Sequence, residues 1–157
     1  MSHLPVNHPM RPLYRFLSAL CGLYILIFGI VALTKTRHMD AFGQDHSNTA
    51  WALGLRANLG FAVISIVAGA IILVSAVVGR NVDRVINMIG GIFFMVVGIA
   101  MLLLMQTNAN FLSFSMANCV ASFLIGTVLF SASLYGKTGS AAEHHAEEAV
   151  RHSPAAR

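Results

Sequence analysis

Histidine and carboxylate side chains occur together in two polar segments, where they could ligate a metal ion. One segment, residues 34–56, contains His38, Asp40, Asp45 and His46, and the other, near the C-terminus, contains Glu143, His144, His145, Glu147 and Glu148. Imidazole nitrogens and carboxylate oxygens are common ligands of transition metals. Neither spacing matches a recognised metal motif, and solvated polar segments explain both sets. We therefore predict no metal site and no cofactor.

The apolar parts of the chain offer no group for catalysis or ion transport. Asp, Glu, Lys, Arg and His are absent from the four apolar runs 16–33, 59–78, 85–105 and 111–135. Pumps, proton-coupled carriers and haem-binding bundles need such residues inside the membrane. The chain also lacks a nucleophile–base pair, a phosphate-binding loop and paired catalytic carboxylates. We predict that the protein is not an enzyme.

Small residues recur within the apolar runs, mostly four or seven positions apart. Such spacings place side chains on one helix face, where a neighbouring backbone can approach closely. We predict that these residues pack helices against each other within the protein, the alternative being an outward face that docks a partner. The candidates are Ser18, Gly22, Gly29, Ser65, Gly69, Gly91, Gly98, Ala117, Ala121, Ser122 and Gly126.

A few polar and aromatic residues lie within or beside the apolar runs. Asn87 and Asn118 are close to the ends of the third and fourth runs, where we expect interhelical or interfacial hydrogen bonds. A substrate pocket built from them is the alternative. Trp51 precedes the second run and is expected to anchor the chain at the membrane interface.

Composition and run length predict the elements that position these residues. The 157-residue chain is 57% hydrophobic and only 10% charged, whereas a soluble domain is about a quarter charged. Each apolar run is long enough for a helix to cross a hydrocarbon core of about 30 Å. The polar stretch 106–110 separates the third run from the fourth. The sequence predicts an all-α, integral membrane four-helix bundle in the domain 16–136.

The distribution of lysine and arginine predicts the orientation of the bundle. The N-terminal segment 1–15, the loop between the second and third runs, and the tail 137–157 hold seven of the ten basic residues. The side of the membrane with more basic residues is normally cytoplasmic. We therefore predict that both termini are cytoplasmic and that the tail is mobile. The basic residues form no stripe or run, so nucleic-acid binding is not expected.

The two halves of the chain resemble each other. Gly22 and Gly29 match Gly91 and Gly98 at an offset of 69 positions. The end of the second run matches the end of the fourth at an offset of 57, with the paired residues Ser65 and Ser122, Gly69 and Gly126, and Gly79 and Gly136. Each half has two spans, so the copies would run in the same direction. The sequence predicts two parallel-repeat helical hairpins, with coincidence in apolar sequence as the alternative.

Several segments resemble a known family. They are Gly90–Gly91, Asn110–Phe111–Leu112, the small-residue pattern 116–136, and the N-terminal segments 5–9 and 11–15. Together they resemble the actinobacterial four-span membrane proteins of domain-of-unknown-function family 4383, over about residues 5–137. The resemblance implies a multi-pass protein of the plasma membrane, with no established activity.

The sequence leaves two functions open. The first is a non-enzymatic structural or accessory component that acts through helix–helix contacts, with itself or with a larger membrane complex. The second is a passive channel or carrier for a small neutral or lipidic solute. The lipid bilayer is the partner that both have in common.

Overall fold

The computed structural model describes residues 8–42 and 49–139. It contains four helices and a small antiparallel sheet: α1 (Arg11–Thr36), β1 (Ala50–Ala52), β2 (Leu55–Ala57), α2 (Leu59–Val78), α3 (Val82–Leu104) and α4 (Met116–Tyr135). All four helices are long and apolar enough to span a membrane. The predicted all-α fold class with four membrane-spanning helices is confirmed. Residues 1–7, the loop residues Asp45 and His46, and the tail from residue 140 lie outside the described part.

Helix α2 occupies the predicted residues 59–78, but the other three helices begin at residues that differ from those of their apolar runs. Helix α1 starts at Arg11, before the predicted residue 16, because Pro12 in its first turn suits a helix N-terminus. Helix α4 starts at Met116, well after residue 111, with Ser115 as its N-cap. The intervening backbone is held in turns by the Asn110 side chain, which accepts from Phe114 N (2.8 Å).

Helix α1 packs along α2, and α3 packs along α4, through equivalent glycines. A Cβ atom added to Gly22 would lie 2.8 Å from the backbone nitrogen of Leu73. A Cβ atom added to Gly91 would lie 2.6 Å from the backbone nitrogen of Phe130. Leu73 and Phe130 are separated by the same 57 positions that relate the second apolar run to the fourth. The backbones are therefore in close contact at matching places in the two hairpins.

The opposite helix of each pair shows the same correspondence. A Cβ atom on Gly69 would lie 2.5 Å from Leu26 N, and one on Gly126 would lie 3.0 Å from Met95 N. Leu26 and Met95 are 69 positions apart, the offset that relates the first run to the third. The internal repeat is thus present in the packing as well as in the sequence.

The long loop after α1 contains a β-hairpin that hydropathy does not predict. Its turn residues Leu53 and Gly54 both have positive φ (47° and 83°), as in the two-residue turns that suit a twisted hairpin. Ala52 (1% exposed) and Leu55 (8%) are buried against Phe28 of α1 and its neighbours. The hairpin therefore extends into the bundle beside α1 and α4.

The two ends of the bundle differ in character. We call the end formed by residues 37–42, 49–58 and 105–115 the loop end, and the end formed by residues 8–10, 79–81 and 136–139 the termini end. Between them lies a packed central layer of Ile25, Ile72 and Leu129, each at most 4% exposed. Polar contacts fill the termini half, where the Ser18 hydroxyl donates to Asn87 Oδ1 (2.7 Å).

Arginine side chains stabilise the termini end. Arg15 donates to the carbonyl oxygens of Ala76 and Val77 in the last turn of α2. Arg11 lies 3.8 Å from the buried carboxylate of Asp83 and donates to the Gly136 carbonyl (3.2 Å). Cations at these C-termini offset the helix dipoles and satisfy carbonyls that have no intrahelical partner.

Candidate functional site

The loop-end half of the bundle encloses an apolar cavity of about 280 Å³. All four helices contribute to its wall, together with β2 and the loop between α3 and α4. Phenylalanine and aliphatic side chains make up most of the lining, and no acidic, basic or histidine side chain is among the described lining residues. The principal contributors are Ile25, Phe28, Phe61, Ala68, Phe94, Val97, Met101, Phe114, Ala121 and Ile125.

The cavity is closed on the side of the termini. Ile25 lines it and also belongs to the central layer with Ile72 and Leu129. Leu129 is fully buried, and Ile72 is 3% exposed. The cavity therefore ends against this packed layer, near the middle of the bundle.

The cavity reaches the outer surface between α2 and α3. Ile64 of α2 and Phe93 of α3 both line it, although they are 43% and 53% exposed. Phe111, from the loop between α3 and α4, is also a lining residue and is exposed. In a membrane-spanning bundle, this face meets lipid chains.

The roof of the cavity consists of loop residues that asparagines hold in place. Asn110 Nδ2 donates to the Phe114 carbonyl (2.9 Å) and to the Met105 carbonyl (3.1 Å). Asn58, the N-cap of α2, donates to the Phe111 carbonyl (2.8 Å). These bonds satisfy three carbonyl groups of the irregular roof backbone that lipid could not hydrogen-bond.

Asn118 joins the β-hairpin to α4 beside the cavity. Its Nδ2 donates to the Arg56 carbonyl (2.8 Å), and its Oδ1 accepts from the Arg56 backbone nitrogen (3.1 Å). Its Oδ1 also accepts from the Ser115 hydroxyl (2.6 Å). The predicted role of Asn118 in hydrogen bonding between elements is confirmed, as is that of Asn87 through its bond from Ser18. Asn118 also lines the cavity, whereas Asn87, the other member of the alternative predicted pocket, is not among the lining residues.

A polar groove of about 480 Å³ adjoins the cavity at the loop end. Phe114 lines both spaces. The groove is lined mainly by Arg56, Gln106, Thr107, Asn108, Asn110 and Ser115. Its described lining thus holds one cation, several amide and hydroxyl groups, and no carboxylate.

Comparison with known proteins places this architecture in a family. The family model "Domain of unknown function (DUF4383)" matches residues 15–135, which is most of the chain. The chain belongs to this family. No curated protein and no solved structure matches it. The cavity and the groove of this DUF4383 member are therefore interpreted from their own geometry.

The structure places the predicted packing residues in three environments. The first is the close helix contact within each hairpin, at Gly22, Gly29, Gly69, Gly91, Gly98 and Gly126. The second is the cavity wall, which includes Ser65, Ala121 and Ser122. The third is the buried hydrogen bond of Ser18 to Asn87. Ala117 belongs to none of these, because it is exposed on α4.

Two residues at equivalent positions of the internal repeat line the cavity. Ser65 and Ser122 occupy equivalent positions in α2 and α4, and both line the cavity. Phenylalanines from three segments surround them: Phe61 near the start of α2, Phe93 and Phe94 in the middle of α3, and Phe111 and Phe114 in the loop between α3 and α4. Sequence spacing shows that such residues share a helix face, but not that facing helices leave space between them.

The described part of this DUF4383 member contains no cluster of potential metal ligands. Within residues 8–42 and 49–139, no group of three or more His, Cys, Asp or Glu residues could hold a metal ion. His38 and Asp40 are exposed after α1. Their candidate partners Asp45 and His46, and the whole C-terminal set, lie outside the described residues.

Proposed function

We propose that this membrane protein is a non-enzymatic lipid-binding protein that holds part of a hydrocarbon chain in the loop-end cavity. The observation that carries the proposal is the apolar cavity, which is open to the lipid-facing surface beside Ile64 and Phe93 and closed below by Ile25. Its volume of about 280 Å³ is close to that of the smallest typical small-molecule pockets, about 300 Å³. This size suits a segment of an acyl or isoprenoid chain better than a whole lipid.

The energetics of empty space favour an occupant. A void in a packed interior costs about 24 cal/mol per Å³, because its lining atoms lose contacts. Hydrocarbon that enters from the bilayer between α2 and α3 would restore those contacts without an aqueous step. The apolar lining offers such a chain dispersion contacts, and it offers little to a polar solute.

A passive channel has less support than a binding site. The central layer of Ile25, Ile72 and Leu129 separates the cavity from the termini half. A solute would have to displace these packed side chains to cross the bundle. The cavity is therefore better suited to retaining a lipid chain on one side of the layer than to conducting a solute.

A role through outward helix contacts also has less support. Most of the small residues that motivated it are enclosed between α1 and α2 or between α3 and α4. Ala117 is exposed, and it offers a limited surface for a neighbouring helix. Residence in the plasma membrane forms part of this proposal, with lipid as the ligand.

Photocrosslinking tests whether a lipid chain occupies the cavity. The purified protein would be reconstituted in phosphatidylcholine vesicles that contain a phosphatidylcholine with a diazirine in one acyl chain. We expect crosslinks at the buried cavity residues Met101 and Ser122 after irradiation and mass mapping. Crosslinks confined to lipid-facing residues such as Val96 and Leu124, which are 57% and 64% exposed, would contradict the proposal.

Two neighbouring alanines on α4 supply a matched pair of variants. Ala121→Leu adds bulk inside the cavity, whereas Ala117→Leu makes the same change one turn earlier on α4, at an exposed position outside the cavity lining. We expect Ala121→Leu to reduce crosslinking at Met101 several-fold and Ala117→Leu to leave it unchanged. Val97→Phe, from α3, provides a second cavity-filling variant if Ala121→Leu does not fold.

A further inference from the structure

The internal repeat relates two lateral sides of the cavity to each other. Ile64 of α2 and Phe93 of α3 line the side that is open to lipid. The repeat offsets of 57 and 69 positions pair these residues with Ala121 of α4 and Tyr24 of α1, which also line the cavity. Parallel repeats are related by an axis along the membrane normal. The gap between α1 and α4 is therefore the counterpart of the open gap between α2 and α3.

The β-hairpin occupies this second gap. The Tyr24 hydroxyl of α1 donates to the Leu53 carbonyl in the hairpin turn (3.4 Å). The second strand is bonded to α4, because Asn118 donates to the Arg56 carbonyl and accepts from its N–H. Leu55, between these two attachments, is 8% exposed and lines the cavity. The hairpin thus spans from α1 to α4 and forms the cavity wall between them.

Two repeat pairs differ in the way that this hairpin requires. Where α2 has Ile64, α4 has the smaller Ala121, which packs against the buried cluster that includes Leu55. Where α3 has Phe93, α1 has Tyr24, whose added hydroxyl makes the bond to the hairpin turn. The α1 and α4 side therefore provides space and a donor that its counterpart lacks.

A third pair shows the same difference. Phe61 of α2 corresponds to Asn118 of α4, at the offset of 57 positions. Phe61 is part of the apolar cavity lining, whereas Asn118 satisfies two backbone groups of Arg56 that lipid could not hydrogen-bond. Residues 105–115, the loop of the second helical pair, are described throughout and contain no strand. The gap between α2 and α3 thus has no equivalent hairpin.

We infer that the β-hairpin plugs the second of two repeat-related openings, so that hydrocarbon chains reach the cavity solely between α2 and α3. The inference rests on the proposed function, because it concerns the route by which a chain enters the same cavity. Leu55 is the residue that closes the second opening. A cavity with one opening retains the end of a chain, whereas a cavity open on both sides would let a chain slide through the bundle.

Joining α2 to α3 tests the route of entry. In a background with Cys21 and Cys119 replaced by alanine, Ile64→Cys and Phe93→Cys would be linked by a bismaleimide in detergent. The protein would then be reconstituted with the photoreactive phosphatidylcholine. We expect several-fold fewer crosslinks at Met101 in the joined protein than in the unjoined one. Either cysteine alone, modified by the same reagent, controls for the bulk of the linker and should retain the crosslinks.

Opening the plug in the joined protein tests the role of the hairpin. Leu55→Ala should restore crosslinking at Met101, because it removes the side chain that closes the gap between α1 and α4. Leu53→Ala makes the same change in the hairpin turn, where the side chain is 49% exposed and lies outside the cavity lining, and crosslinking should stay low. If Leu55→Ala does not fold, Asn118→Ala provides the second variant, because it releases the hairpin from α4.

The outcomes separate this inference from the proposed function. Absence of crosslinks at Met101 in the unjoined protein would overturn the proposed function. Full crosslinking in the joined protein would reveal another route of entry and overturn only the inference. Low crosslinking that neither Leu55→Ala nor Asn118→Ala restores would show that the hairpin closes no opening, and it would also overturn the inference while leaving the cavity as a lipid site.

Discussion

Two adjacent glycines of α3, Gly90 and Gly91, have different packing environments. Gly91 faces the α4 backbone, and a Cβ atom there would lie 2.6 Å from Phe130 N. Gly90, one position earlier, faces more open space, and a Cβ atom there would lie 3.5 Å from Leu129 Cδ1. The α4 backbone beside Gly91 cannot move aside for an added methyl group, whereas the end of the Leu129 side chain beside Gly90 can. The first glycine is therefore needed for packing, and the second is not.

We predict opposite results for alanine at these two positions. Gly91→Ala should lower the free energy of unfolding by about 1–3 kcal/mol, because it overpacks a close contact. Gly90→Ala should be neutral, or stabilising by up to about 1 kcal/mol, because alanine is the better helix former. Reversible unfolding in mixed micelles, followed by Trp51 fluorescence, would measure both. Equal destabilisation by the two variants would contradict the close-packing explanation.

The β-hairpin is the element that depends most on its surroundings. Trp51 pairs with Arg56 next to the terminal pair Ala52 and Leu55. Since hydrogen-bonded and non-hydrogen-bonded pairs alternate in an antiparallel ladder, the Arg56 backbone N–H and C=O point away from β1. Asn118 is the partner that satisfies both groups. Two strands of three residues are not stable by themselves, so α1 and α4 hold this element in place.

We predict that Asn118→Ala loosens the hairpin and preserves the helices. Leaving a buried backbone group without its partner costs about 1–3 kcal/mol, which corresponds to amide exchange that is about 5-fold to 150-fold faster in residues 50–57. Hydrogen exchange followed by mass spectrometry in lipid nanodiscs would measure this. Gln106→Ala, an exposed change at the same end, is the control. Unchanged protection of residues 50–57 in Asn118→Ala would show that side-chain burial alone holds the hairpin.

The two ends of the whole molecule differ in structure. The termini end is closed by arginine contacts to helix carbonyls and by the central apolar layer. The loop end holds the cavity and the groove, so the orientation of the bundle decides which leaflet would supply the proposed lipid ligand. The distribution of basic residues predicts cytoplasmic termini, and that orientation would place the cavity in the outer leaflet.

Cysteine labelling would test this orientation. In a background with Cys21 and Cys119 replaced by alanine, Gln106→Cys places a thiol at the loop end and Gly139→Cys places one at the termini end. A membrane-impermeant maleimide added to intact cells should label Gln106→Cys, and it should label Gly139→Cys only after permeabilisation. The reverse pattern would refute the predicted orientation and place the cavity in the inner leaflet.

The sequence by itself determined the four spans and the paired glycines of the two hairpins. Span length and hydropathy follow from the thickness of the bilayer and from the need to satisfy every backbone group in lipid. Glycine spacing follows from helix periodicity. Both are properties of a single segment, and residues such as Gly22 and Gly91 therefore reveal their environment before the partner helix is known.

Only the tertiary structure decided the hairpin, the cavity and the place of Arg56. Ala52 and Leu55 are buried because α1 and α4 leave room for a loop to enter, and the residues of that loop carry no signal of this space. The cavity is volume that facing side chains fail to fill, so it depends on several elements at once. Asn118 joins α4 to a strand that is 62 positions away. Because these features arise between segments, no periodicity within one segment could predict them.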